Sequence, residues 1–273
     1  MRSVLVHVDG GPRSAVRMRV AARLAHEEGL QLTALFAAAP PLVDAPFGYS
    51  AGGMAAPLLE SVYRRWRDAA FDAAESVSRT VPVAWADLGP EAPVAGFVRQ
   101  ALHADLLVLG QHDPVEPHHA VPAGFVSAVL LASGRPGLVL PRAGPVGTVG
   151  RRVLVAWNRS PPALRALSAA LPLLRHAEHV AIEEWVAHGD APEVEAWDRL
   201  AAFLGAHGVT AEYRRHAAAR RPVGERLLAR AGELDADLLV MGCYGRPRSV
   251  EWMLGGATRT VLGRMALPVL MCH

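Results

Sequence analysis

"ADLLVLG" at Ala104–Gly110 recurs as "ADLLVMG" at Ala236–Gly242, 132 residues later. At the same offset Gly124 meets Gly256, Val129-Leu130 meets Val261-Leu262, and Pro136 meets Pro268, with no gap. The starts of the two halves correspond as well. "SVLVHVDGG" (Ser3–Gly11) is similar to "RVLVAWNRS" (Arg152–Ser160) at an offset of 149. The first half therefore carries 17 extra residues between its start and its ADLLV segment. "APPLVDAPFGYSAGGMA" (Ala39–Ala55), rich in Pro, Gly and Ala, reads as that insertion and as a loop. A repeat of this length means two copies of one folding unit. The expected domains are 1–141 and 151–273, joined through "PRAGPVGTVG" (Pro141–Gly150).

Each ADLLV segment is a short apolar run, and each half alternates such runs with segments of helical period. In the second half strands are expected at Val153–Trp157, His179–Val186, Val209–Tyr213, Ala236–Met241 and Leu267–Met271. Helices are expected after Ser160 as N-cap with Pro161 and Pro162 in the first turn, then at Glu193–His207, Val223–Leu234 and Ala257–Arg264. The first half repeats the order. Its expected strands are Val4–Val8, Leu30–Phe36, Val81–Trp85, Leu106–Leu109 and Leu138–Leu140. Its expected helices are Ser14–Glu28, Pro57–Arg79, Pro93–His103 and Gly124–Ala132. Near-continuous apolar strands alternating with helices predict an α/β fold of two tandem doubly wound, Rossmann-like domains, with parallel sheets covered on both faces. Ligand crevices then belong at the carboxyl ends of the strands.

Composition narrows the function. Of 273 residues 51% are hydrophobic and 20% charged, which suits a packed core rather than a disordered chain. A net charge of +2 does not point to nucleic acid. All 28 basic residues are arginine, so a P-loop lysine and a Schiff-base lysine are both excluded. The two cysteines, Cys243 and Cys272, make neither a disulfide framework nor a CxxC metal site. No segment approaches about 20 uninterrupted apolar residues, and the N-terminus lacks a signal-peptide pattern, so a cytoplasmic protein off the membrane is expected.

The second ADLLV strand runs into "MGCYGRPRSVEWMLGGATRTVL" (Met241–Leu262), with Gly242, Gly245, Gly255 and Gly256. If "GGAT" opens a helix, its first N–H groups are unsatisfied and its dipole favours an anion there. The competing reading is a glycine-rich connection that binds nothing.

The spacing Gly242-x2-Gly245-x9-Gly255 resembles the nucleotide-binding pattern of the universal stress protein family. The flanking ADLLVMG strand, "ATRTVL", the terminal "LPVL" and "VLVAWNRSPPALRALSAALPLL" (Val153–Leu174) are similar to that family too. The resemblance spans nearly the whole chain as a tandem pair. It implies five parallel strands and about four helices per domain, described for this family as adenine-nucleotide alpha-hydrolase-like. It also implies a site in the second half for ATP or another adenine nucleotide, with or without magnesium. Ala156, Trp157 and Asn158 would flank base and ribose. Met241, Gly242, Tyr244 and Gly245 would line the loop, and Gly255, Gly256, Ala257 and Thr258 would hold the phosphates. The implied assembly is a pseudo-dimer of the two domains within one chain, through pairing of their last strands, with a further homodimer open.

Departures from the family pattern bear on this site. Asn158 stands where Asp is usual, and Gly256 where Ser or Thr is usual. Trp157 either stacks on adenine or fills its pocket. In the first half, "GQHDPVEPHHAVPAGFV" (Gly110–Val126) has Asp113 and Ala123 in place of the second and third glycines. Asp9 keeps the acidic position, but the first half is expected not to bind nucleotide in the family manner. His112, Asp113, Glu116, His118 and His119 match no metal-ligand spacing and read as a solvated loop.

No catalytic residue and no metal site is expected. Ser14, Ser160 and His216 do not compose a triad, and GxSxG is absent. Arg64-Arg65 and Arg214-Arg215 read as exposed charges. Val62–Val81 reads as an amphipathic helix with Trp66, Ala70, Phe71 and Ala74 on its apolar stripe. The expected function is a stress-response or regulatory binding module rather than an enzyme. The alternative is an interaction protein of the same fold with closed pockets.

Overall fold

The structure, a computed structural model, describes residues 1–39, 55–115, 120–185, 194–217, 221–244 and 256–273. The chain divides into two compact units, Met1–Arg135 and Pro136–His273. Most of the expected insertion, residues 40–54, lies outside the described residues.

Unit 1 runs β1 (Ser3–Val8), α1 (Arg13–Glu28), β2 (Gln31–Phe36), α2 (Ala55–Glu75), β3 (Val83–Asp87), α3 (Pro93–Ala101), β4 (Leu106–Gly110) and α4 (Phe125–Ser133). Its strands lie in the order β3-β2-β1-β4, and all the pairs are parallel. Val4, Val6, Val8 and Leu107–Leu109 are fully buried, as parallel strands covered on both faces require. Helix α1 stops at Gly29, whose φ of 65° lets its N–H reach back to the Ala25 carbonyl.

Unit 2 runs β5 (Gly137–Leu140), β6 (Arg152–Trp157), α5 (Pro161–Leu174), β7 (His179–Trp185), α6 (Val194–Ala206), β8 (Glu212–His216), α7 (Val223–Glu233), β9 (Leu238–Gly242), α8 (Ala257–Arg264) and β10 (Val269–Cys272). The order is β5-β10-β9-β6-β7-β8. Strand β5 pairs antiparallel with β10, Leu138 opposite Leu270, and the other pairs are parallel. Helix α5 starts as its sequence dictates. The Ser160 hydroxyl accepts from the Ala163 N–H at 3.3 Å, and proline fills the first turn, where no N–H is needed.

The shared "AD" before each LLV run has a structural cause. The Asp105 carboxylate accepts from the Arg2 and Ser3 N–H groups at 2.6 and 3.2 Å. The Asp237 carboxylate accepts from Gly150, Arg151 and Arg152 N–H at 3.1, 3.1 and 2.9 Å. These side chains tie the entry of β1 to β4 and the entry of β6 to β9. The Arg2 N–H bond is the chief reason that the Asp105 carboxyl titrates below its usual range.

Three elements depart from expectation. Helix α2 ends at Glu75, not Arg79, and Val77 is buried in the turns that follow. Ala70 and Ala74 face the core, but Phe71 is 47% exposed and lies edge-on to Trp85. Strand β3 begins two residues after Val81. Strand β8 spans Glu212–His216 rather than Val209–Tyr213. Arg214 and Arg215 are thus inside the strand, because carboxylates of β7 offset the charge of its second half. Arg215 lies 3.4 Å from Glu184, and His216 lies 2.7 Å from Glu183.

Candidate functional site

In both units the strand order reverses at one place: between β1 and β4, and between β6 and β9. Outside the carboxyl ends at such a reversal, adjacent crossovers leave in opposite directions and a crevice opens. The expected site residues of unit 2 gather there. Ala156 and Trp157 end β6, and Asn158 follows. Met241 and Gly242 end β9, in register with Met271 and Cys272 next door, and lead into Cys243 and Tyr244. Gly256 is the N-cap of α8, which begins at Ala257, and no side chain caps it. Gly245 and Gly255 lie outside the described residues.

Several of these residues do work other than the expected contact. A Cβ on Gly242 would sit 2.5 Å from the Ala163 nitrogen and 2.7 Å from the Pro162 carbonyl carbon. This glycine is demanded by the first turn of α5 lying against β9. Thr258 is buried, and its Oγ1 accepts from the Tyr244 N–H at 3.3 Å. It anchors the loop at Tyr244, which itself holds a left-handed φ of 53°. The Asn158 side-chain oxygen accepts from the Ser160 hydroxyl at 2.7 Å and its N–H at 3.2 Å. Asn158 thereby shapes the turn into α5. Cys243 is fully buried, so its thiol does not offer a surface redox site. Burial raises the Cys272 thiol above its usual range.

The two units differ most at this crevice. In unit 1 the penultimate residue of β1 is His7, and the first residue of α4 is Phe125. Their rings are 4.7 Å apart, with Phe97 5.8 Å from His7 and 5.5 Å from Phe125. All three are buried. The same two positions of unit 2, the penultimate residue of β6 and the first of α8, are Ala156 and Ala257. Aromatic rings fill the reversal point in one unit, and methyl groups stand there in the other.

Below the rings, unit 1 closes with an ion pair. The Arg17 guanidinium reaches the Asp9 carboxylate at 2.9 Å, the His7 carbonyl at 2.7 Å and the Ser14 hydroxyl at 2.8 Å. Its Nη1 lies 2.5 Å from where a Cβ on Gly110 would be. Gly110 thus admits an arginine of its own chain. A Cβ on Gly10 would fall on the Trp66 indole, which covers the β1–α1 connection. Burial alone would raise the Asp9 carboxyl, but Arg17, with His7, Ser14 and the Gly11 N–H, brings it down to about 2.

Burial, assisted by Arg17, lowers the His7 imidazole to about 4, against the pull of Asp9 and the Ala37 carbonyl 2.9 Å away. A base held neutral in the fold costs stability when the unfolded chain takes up a proton. His7 therefore exerts no penalty above pH 6.5, and stability is lost as pH falls from 6.5 to about 4, by about 3 kcal/mol at most. Urea unfolding of the wild type and His7→Gln across this range is expected to show a steeper decline for the wild type. Equal slopes would mean that His7 is not held neutral.

On the other side of unit 2, β7 carries two buried carboxylates that hydropathy did not single out, Glu183 and Glu184. Glu183 accepts from Arg230 of α7 at 2.8 Å and meets His216. Glu184 accepts from Arg159 at 2.7 Å. Neighbouring strand residues face opposite sides. Ala156 is in register with Glu183, and Trp157 with Glu184. Ala156 thus shares the side of α7, against which α8 packs, and Trp157 shares the side of Arg159 and α5. The only sequence signal for these carboxylates was the complementary run Arg214-Arg215-His216 two elements later.

His112 and Asp113 belong to unit 1, while Glu116, His118 and His119 lie outside the described residues. Among the described residues no three His, Cys, Asp or Glu side chains gather as a metal site. No described helix is long and apolar enough to cross a membrane.

Residues 150–273 match the model of the Universal stress protein family. A universal stress protein from Archaeoglobus fulgidus DSM 4304 superposes with a TM-score of 0.69 at 17% identity, covering 99% of this chain and 95% of its own. A protein named for the same family from Pseudomonas aeruginosa UCBPP-PA14 gives 0.55 at 18% identity, covering 99% and 92%. A universal stress protein in complex with cAMP is 27% identical over 45% of this chain and 96% of its own, with a TM-score of 0.38. No curated protein sequence matches the chain. The family match falls on the second half of the chain, and the likeness to the solved structures shows the fold of the whole.

Proposed function

We propose that unit 2 binds an adenine nucleotide at the β6–β9 reversal, with the phosphates at the start of α8. One observation carries the reading: Ala156 and Ala257 stand where unit 1 has His7 and Phe125. The donor set suits a phosphate. Helix α8 begins with an uncapped turn at a residue without a Cβ, so N–H groups and dipole face the same point.

The activity is ligand sensing within a cytoplasmic stress-response module, without turnover. Unit 1, with its crevice filled by His7, Phe125, Arg17 and Trp66, takes the second reading, that of a closed partner domain. Calorimetric titration of the full chain with ATP, with and without magnesium, tests the proposal. Saturable heat is expected in the wild type. Ala156→His/Ala257→Phe, which rebuilds the filling of unit 1, is expected to bind at least about tenfold more weakly, or about 1.4 kcal/mol. No heat and no thermal shift at millimolar ATP would end the nucleotide reading.

A further inference from the structure

A second hollow of unit 2 lies on the other side of β6, between the start of α5 and α6. It has a volume of about 960 Å³, within the range of small-molecule sites. Trp157, Leu164, Leu200 and Phe203 supply apolar walls, and Arg159 and Arg199 stand among them. Leu164 is 44% exposed, a large apolar side chain in contact with water.

The cations in this cleft differ in how firmly they are held. Arg159 sits at a left-handed φ of 58°, which costs about 1 kcal/mol or more in a residue with a Cβ. The buried Glu184 fixes its Nε at 2.7 Å. The surrounding fold thus holds Arg159 in a conformation it would not choose alone. Among the described residues Arg199 pairs with Glu195 of its own helix, at 2.7 Å, and both side chains are about four-fifths exposed. Such a surface pair is worth little, so Arg199 exchanges partners at low cost. A planar guanidinium matches a carboxylate fork, and an aromatic wall matches an aromatic ring.

We infer that the α5–α6 cleft is a binding site for a small planar aromatic carboxylate, distinct from the nucleotide crevice. The ring lies against Trp157, Leu164 and Phe203, and the carboxylate draws Arg199 from Glu195 beside Arg159. A cation is disfavoured by two guanidinium groups against the one carboxylate of the lining, Glu195. A neutral ring loses the charge-assisted bonds.

The test uses the full chain and 1-naphthoate as probe, followed by protein fluorescence and calorimetry. Saturable binding is expected, and naphthalene-1-methanol is expected to bind about tenfold more weakly or worse. Leu164→Glu and Arg199→Gln, both at exposed positions, should fold normally by circular dichroism and weaken naphthoate binding about tenfold. Saturating ATP should leave it unchanged. Absence of saturable naphthoate binding by the folded wild type would overturn the site. So would equal affinity in Leu164→Glu, equal affinity for the neutral analogue, or displacement by ATP.

Discussion

Gly242→Ala is expected to destabilise the protein by about 2–4 kcal/mol and to lower the melting temperature of unit 2 by several degrees. The added Cβ meets the Ala163 nitrogen at 2.5 Å and the Pro162 backbone at 2.7 Å. Neither can yield as a side chain would. Two prolines stiffen that turn, and the Ala163 N–H is the group that Ser160 caps. Relief requires α5 to move off β9, opening contacts with fully buried Leu239 and Ala166. Gly263→Ala is the matched control. Nothing lies within 4 Å of its Cβ and it is inside α8, so a gain of about 0.5–1 kcal/mol is expected from helix propensity. Differential scanning calorimetry separates the two. If Gly242→Ala melted with the wild type, the glycine would be kept for ligand approach and not for packing.

Arg17→Met is expected to cost about 3 kcal/mol at neutral pH, because it leaves the Asp9 charge in a largely buried place without its cation. It also takes the guanidinium donor from the His7 carbonyl and from the Ser14 hydroxyl, which keeps the Asp9 N–H. The sign with pH follows from the carboxyl. With Arg17 present, Asp9 titrates at about 2, so its contribution is complete above 3.8 and lost as pH falls through 2. Without Arg17, burial raises the carboxyl, and the penalty grows with pH and shrinks toward acid. The double variant Asp9→Asn/Arg17→Met removes both charges and is expected to recover much of the loss, since an ion pair replaced as a pair is often close to neutral. Urea unfolding at pH 7 reads the cycle. A single variant no less stable than the double would show that the pair contributes nothing.

Much of the architecture was legible from the repeat. ADLLV placed β4 and β9, and the apolar runs placed β1, β2, β6 and β7 within a residue or two. The misplacement of β8 has a definite cause. Hydropathy ends at Tyr213, but the strand continues through Arg214 to His216 because buried carboxylates of β7 meet Arg215 and His216. Pairing across strands is not local in sequence, so no window over residues 209–216 contains it. The described residues of the motif share one neighbourhood, where their partners are within the protein. Gly242, Thr258 and Asn158 all lie where the motif puts them, yet each has a partner within the protein. The decisive contrast, Ala257 against Phe125, sat in the aligned repeat as two unremarked letters. Its meaning needed His7 beside Phe125, a contact spanning more than a hundred residues.

Strand β5 comes from the first copy of the repeat, yet it hydrogen-bonds antiparallel to the last strand of the second. The seam of the duplication and the seam of the fold are therefore in different places. A polypeptide begun at Gly150, where sequence similarity to the family begins, would lack residues 137–140 and bare one flank of Val269–Cys272. That flank is a fully apolar strand with open backbone groups, the kind of surface that recruits other chains. Excision of the second copy as an independent soluble piece should start before Pro136.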